Sequence, residues 1–128
     1  MTASLRSERE AHLVGDVFEE AGKAIRFLGG RDAEALAAED VVLYGVERAI
    51  GNTAEACVQI ERGAYAGRFV ELFPDHAFDD MRVLGNTLRH DYGSSRAVRV
   101  RDTALSVMPA LRDRAEALLA AHRRLHGG

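Results

Sequence analysis

A disulfide framework is excluded at the outset, because the chain contains one cysteine, Cys57. A lone thiol fits a reducing compartment. Tryptophan is absent and proline occurs twice, so the chain carries few helix breakers. Lysine is almost missing too: Lys23 is the one lysine among 17 basic residues, and the other sixteen are arginine. No apolar segment approaches membrane-spanning length, and Met1 to Arg6 lacks the apolar run of a signal peptide. The expectation is a soluble, cytoplasmic chain with no membrane partner. Glycine-rich phosphate loops, zinc-ligand constellations and nucleophile elbows are all absent. No cofactor is therefore expected, and a conventional nucleotide enzyme has little support. A net charge of −3 excludes a polycation that binds nucleic acid indiscriminately.

What is present is helix-forming material. Ala, Leu, Arg and Glu dominate a chain of 128 residues, which fits a single domain over 1–128. Val14, Val17 or Phe18, Ala21, Ile25 and Leu28 recur at three- and four-residue steps, predicting a helix from about Ser4 to Leu28 that ends at Gly29-Gly30. A short helix is expected from Asp32 to Ala38, capped by Asp32. From about Asp40, the residues Leu43, Val46, Ile50, Thr53 or Ala54, Cys57, Ile60 and Ala64 give the cleanest amphipathic pattern in the chain. Gly45 and Gly51 interrupt it and would let another helix approach closely. A short helical piece is expected over Arg68 to Phe73. A third long helix is expected over Ala77 to Asp91, with Asp75 as its cap. Beyond Gly93, the positions Ala97, Val100, Ala104, Val107, Leu111, Leu118 and Leu125 continue the stepping. Pro109 either kinks that helix or lies in the first turn of a new one capped by Ser106. The pattern predicts an all-α fold, an antiparallel four- to five-helix up-and-down bundle. Its broad apolar stripes leave surface for self-association.

The chemistry concentrates in Asn86-Thr87-Leu88-Arg89-His90-Asp91-Tyr92-Gly93. Asn86 and His90 are four apart, so a helix sets them on one face. A histidine near neutral pKa can take a proton and return it. Cleavage of RNA without a metal requires that, since the ribose 2′-hydroxyl must lose its proton to attack the adjacent phosphate. Asn86 would orient the imidazole or hold a phosphate oxygen. Tyr92 can stack, donate a hydrogen bond or accept a modifying group, although closing the end of a bundle is the commoner use of tyrosine. Five arginines, Arg82, Arg89, Arg96, Arg99 and Arg101, stand against Asp91 alone between positions 82 and 101. They either favour a phosphate-bearing partner or pair with acids elsewhere in the fold. His122 and His126 have the spacing of a shared metal site, but a basic helix C-terminus explains them better. Glu55, beside the apolar stripe, is expected at the boundary of the core.

Three stretches together resemble the HepT-like proteins of the HEPN superfamily. Tyr44 to Ile50 with Thr53 to Ala56 is similar to that family's central helix, Phe78 to Gly93 to its motif helix, and Val107-Met108-Pro109-Ala110-Leu111 to its final helix start. The likeness covers roughly residues 10 to 120. It implies a HEPN-like bundle, metal-independent endoribonuclease activity on an RNA substrate, and sites formed across a homodimer. It also implies a toxin–antitoxin pair, in which a minimal nucleotidyltransferase antitoxin silences the toxin by transferring AMP to the motif tyrosine.

The family's site reads Arg, four to six residues, His, one residue, Tyr. By resemblance His90 is the catalytic histidine, Asn86 the polar residue of the motif and Tyr92 the modification target. The position of the motif arginine holds Gly85. Arg82 and Arg89 are the substitutes at hand. Arg82 is eight residues before His90, about 12 Å along a helix, and its side chain leans away from His90. Arg89 points about 100° from His90 around the helix. Either would more easily serve a partner chain's site. Three readings stay open: a ribonuclease weakened at Gly85, a non-catalytic dimeric module that partners the nucleotidyltransferase, and a generic helical subunit.

Overall fold

A computed structural model describes residues 3–90 and 94–127, with backbone alone for residues 86–90 and 94. Among the described residues there are seven helical segments and no strand: α1 (Glu8–Leu28), α2 (Ala33–Ala38), α3 (Asp40–Arg62), α4 (Arg68–Leu72), α5 (Phe78–His90), α6 (Ser94–Ser106) and α7 (Met108–Leu125). The bundle is thus all-α, as its apolar periodicity requires. The two short segments, α2 and α4, fall where the sequence predicts them.

Cross-helix contacts fix the directions. Arg9 reaches Gln59, Asn52 donates to Glu20, and the Phe27 ring lies against Gly45, so α1 and α3 run antiparallel. His122 approaches Glu8 at 3.9 Å while Arg112 packs near Gly22, which makes α7 antiparallel to α1. Gly85 faces Ala54, and Met81 and Arg82 share a cleft with Val58 and Arg62, so α5 is antiparallel to α3. Most of the core seam is the one the sequence draws: Val14, Val17, Ala21, Leu43, Val46, Ile50, Cys57, Ile60, Val100, Ala104, Leu111 and Leu118 are buried, whereas Ala64 lies exposed past the end of α3 and Leu125 is exposed at the end of α7. At about 25 cal/mol per Å² of apolar surface removed from water, each large member of such a seam contributes ~1.5–3 kcal/mol.

The ends of the helices differ from expectation in ways that local chemistry explains. The first helix begins at Glu8, four residues later than predicted, because Ser7 caps it by accepting the Glu10 N–H at 3.1 Å. Leu5 still reaches the core from the extended lead-in. Gly29 stops the helix with φ +57°, a left-handed value that favours glycine. Asp32 caps α2 as expected, accepting from Ala35 N at 2.8 Å. At the third long helix, Ala77 rather than Asp75 takes the capping place, and its carbonyl accepts from Asp80 and Met81. Ser106 caps nothing. It closes α6, and its hydroxyl donates to the Asp102 carbonyl at 2.6 Å. Val107, with helical dihedrals, joins α6 to α7, and Pro109 sits in the first turn of α7 where a missing N–H is harmless.

One buried ion pair holds the lower end of the bundle. The Arg68 guanidinium grips Glu10 through two hydrogen bonds of 2.7 Å and donates to the Ser4 carbonyl at 2.8 Å. Both residues are buried. This ties α4 to the start of α1, and the Arg68 hydrogen bonds hold the Glu10 carboxyl below the usual carboxylate range. Glu61 orders α4 from outside, its carboxylate accepting from Gly67 N and Phe69 N at 3.0 Å each.

Candidate functional site

The α3–α5 seam opens into a cleft of about 370 Å³ lined by Tyr44, Glu47, Arg48, Gly51, Asn52, Glu55 and Gly85. Its floor is open because two glycines face it. Gly51 has nothing within 4 Å of where a Cβ would stand, and a Cβ on Gly85 would meet only the Ala54 Cβ, at 3.9 Å. Gly45 does what its small size predicts, seating the Phe27 ring. Gly51 does not, since no neighbour closes on it. It widens the cleft instead.

The walls are polar and of mixed charge. Tyr44, Arg48, Gly51 and Glu55 recur at steps of four, three and four, one stripe of α3 beside the buried one. Glu47 is held by Arg96 of α6: Nε donates to one carboxylate oxygen at 2.8 Å, and Nη2 to the other. The same guanidinium lies 4.9 Å from the centre of the Tyr44 ring. The Glu47 hydrogen bonds raise the pKa of Arg96 further, so it is a permanent cation. Asn52 donates to Glu20 at 2.8 Å, and Glu55 accepts from Gln59 at 2.8 Å. Arg48 is exposed and makes no ion pair among the described residues.

The residues singled out from the sequence distribute as follows. Asn86, Arg89 and His90 continue the α5 backbone beyond Gly85, at the Tyr44 end of the cleft by the antiparallel register, and their side chains lie outside the described residues. Tyr92 also lies outside them, with Asp91 and Gly93. Arg82 is exposed and pairs with Asp79 at 3.6 Å. It lines the neighbouring cleft with Arg62, toward the other end of α5.

The arginine surplus resolves largely into pairing within the fold. Arg96 holds Glu47, Arg82 meets Asp79, and Arg101 donates to the Arg31 carbonyl at 2.9 Å. Glu55 is exposed at the core boundary, as its place beside the stripe predicts. The His122 and His126 rings meet at a tilt of 42° with centroids 4.3 Å apart near Glu8, and no group of three metal-ligating side chains occurs among the described residues. Cys57 is fully buried, and burial pushes its thiol up to about 12.

Tyr44, Glu47, Arg48 and Asn52 are the lining residues that motif reading passed over. Their signal was available as a polar stripe flanking the apolar one on α3. No described helix is long and apolar enough to cross a membrane. No family model matches the chain, and no curated protein or solved structure matches it.

Proposed function

We propose that the protein is a HepT-like, HEPN-type toxin ribonuclease that cleaves RNA without a metal. His90 takes the proton of a ribose 2′-hydroxyl, whose oxygen attacks the adjacent phosphorus. The 5′-oxygen leaves and recovers that proton from the imidazolium, leaving a 2′,3′-cyclic phosphate and a 5′-hydroxyl. Asn86 orients the imidazole or a phosphate oxygen. Tyr92 is the handle for AMP transfer by a minimal nucleotidyltransferase antitoxin.

One observation supports this reading above others: Gly85, on the helix that carries Asn86 and His90, lines an open cleft together with polar residues of α3. A strand of RNA needs such a groove. The antiparallel helical bundle agrees with the fold that the sequence resemblance implies. Phe27, Val41 and Tyr44 are exposed apolar residues near one end of the α1–α3 pair, which suits a homodimer. The test is cleavage of single-stranded RNA by the purified protein in the presence of a chelator, with His90→Ala beside it. Activity in the first and none in the second supports the reading.

A second reading rests on Gly85. Without the motif arginine, loss of one electrostatic contact at the transition state lowers a rate by ~10²–10³. A dimeric module that binds its nucleotidyltransferase and cuts nothing would keep the bundle and Tyr92. Modification of Tyr92 without RNA cleavage by the unmodified protein would select it.

A further inference from the structure

We infer that Arg48 of α3 supplies, from across the cleft, the phosphate-binding cation that Gly85 withholds from α5. The inference rests on the ribonuclease reading and deepens it, since it concerns the same RNA phosphate.

Position is the first argument. Arg48 and Gly85 line one cleft. Gly85 stands opposite Ala54 in an antiparallel pair. Counting on residue for residue, five positions from Gly85 to His90 correspond to five from Ala54 to Ala49, so Arg48 is level with the end of α5. By the same count Arg82 falls near Cys57, about 12 Å back along the helices.

Availability is the second. Arg82 is engaged with Asp79, Arg96 with Glu47 and Arg101 with a backbone carbonyl. Arg48 follows directly on an acid, yet Arg96 holds that Glu47 carboxylate in a two-point contact. Arg48 is exposed and makes no ion pair among the described residues, so its guanidinium is available to a phosphate in the cleft.

Space is the third. An arginine at 85 would project toward this cleft, and glycine there leaves the room vacant. A guanidinium reaching in from the opposite wall can make the planar, bidentate contact that suits a phosphate. Loss on one helix and supply from the facing one leave the charge at the site unchanged.

The experiment uses the full chain and a labelled single-stranded RNA oligonucleotide with chelator present. Arg48→Ala is compared with wild type, with Arg48→Lys, and with Arg48→Ala combined with Gly85→Arg. Arg123→Ala removes an equal charge from an exposed position of α7 as control, and circular dichroism with thermal melting verifies the fold of each variant. Expected are a fall in kcat/KM of about 10²-fold for Arg48→Ala, partial retention in Arg48→Lys, recovery of at least about tenfold on adding Gly85→Arg, and little change for Arg123→Ala. Arg48→Ala folded and within about threefold of wild type, while His90→Ala is inactive, overturns the role of Arg48 and leaves the ribonuclease reading standing. Cleavage that survives His90→Ala, or no cleavage by wild type, removes that reading and this inference with it.

Discussion

Arg96 and Glu47 meet in a two-point contact that fastens the start of α6 to the middle of α3, with the Tyr44 ring beneath the guanidinium. Glu47 lines the candidate cleft, and the pair ties α3 to α6 beside it. It also decides which arginine is available to a ligand, because it occupies the acid next to Arg48.

That contact is largely shielded from solvent, so removing one partner leaves the other charge partly desolvated. Arg96→Ala and Glu47→Ala should each lower stability by about 2 kcal/mol in urea unfolding, more than an exposed pair contributes. The double variant should be less destabilised than the sum of the two singles, giving a measurable coupling in the double-mutant cycle. Strict additivity would show that the contact is not formed in solution.

Acid should unfold the protein through Glu10. Its pKa is below the ordinary 4.5 in the folded chain because Arg68 donates two hydrogen bonds to its carboxylate. A depressed carboxyl contributes stability that is complete above the unfolded value and is lost as pH falls through the folded one. Stability should therefore decline below about pH 4.5 as Glu10 becomes protonated. Glu10→Gln should flatten that decline and lower stability at pH 7 by about 3 kcal/mol, since Arg68 stays buried without its counter-charge. An unchanged acid profile in Glu10→Gln would assign the transition to other carboxyls.

Two glycines should respond in opposite directions. Gly85 sits in a helix with an ordinary 3.9 Å contact waiting for a Cβ, so Gly85→Ala should raise stability by about 0.5–1 kcal/mol. Gly29 has φ +57°, where a side chain is strained, so Gly29→Ala should lower stability by about 1 kcal/mol. Chemical denaturation of both variants checks the pair. Destabilisation by Gly85→Ala would mean that a partner closes on this position.

Much of this fold was legible in the spacing of apolar residues. The stepping of Leu43, Val46, Ile50, Cys57 and Ile60 marked the buried face of α3, and Gly29 and Asp32 marked where neighbouring helices end and begin. Periodicity could not register Arg68 and Glu10, which are charged, 58 residues apart, and buried because each satisfies the other. No local motif marks Arg48 either, because its interest arises only when α3 turns it into the cleft that Gly85 leaves open. Local composition shows which residues can carry chemistry. Which of them remain unpaired is settled by contacts between distant segments, as Arg96 and Glu47 illustrate across 49 positions.

Cys57 offers a simple probe of core integrity. Burial raises its thiol to about 12, so little thiolate forms near neutral pH. Native protein at pH 8 should resist a thiol reagent for as long as it stays folded and react fully in denaturant. Rapid labelling of the native protein would contradict the burial of this face of α3.

The most direct measurement is cleavage of a single-stranded RNA by freshly purified, unmodified protein with chelator present, run against His90→Ala of verified fold. The account predicts fragments ending in a 2′,3′-cyclic phosphate from the wild type and none from the variant. Intact RNA in both reactions, or equal cleavage in both, would contradict it.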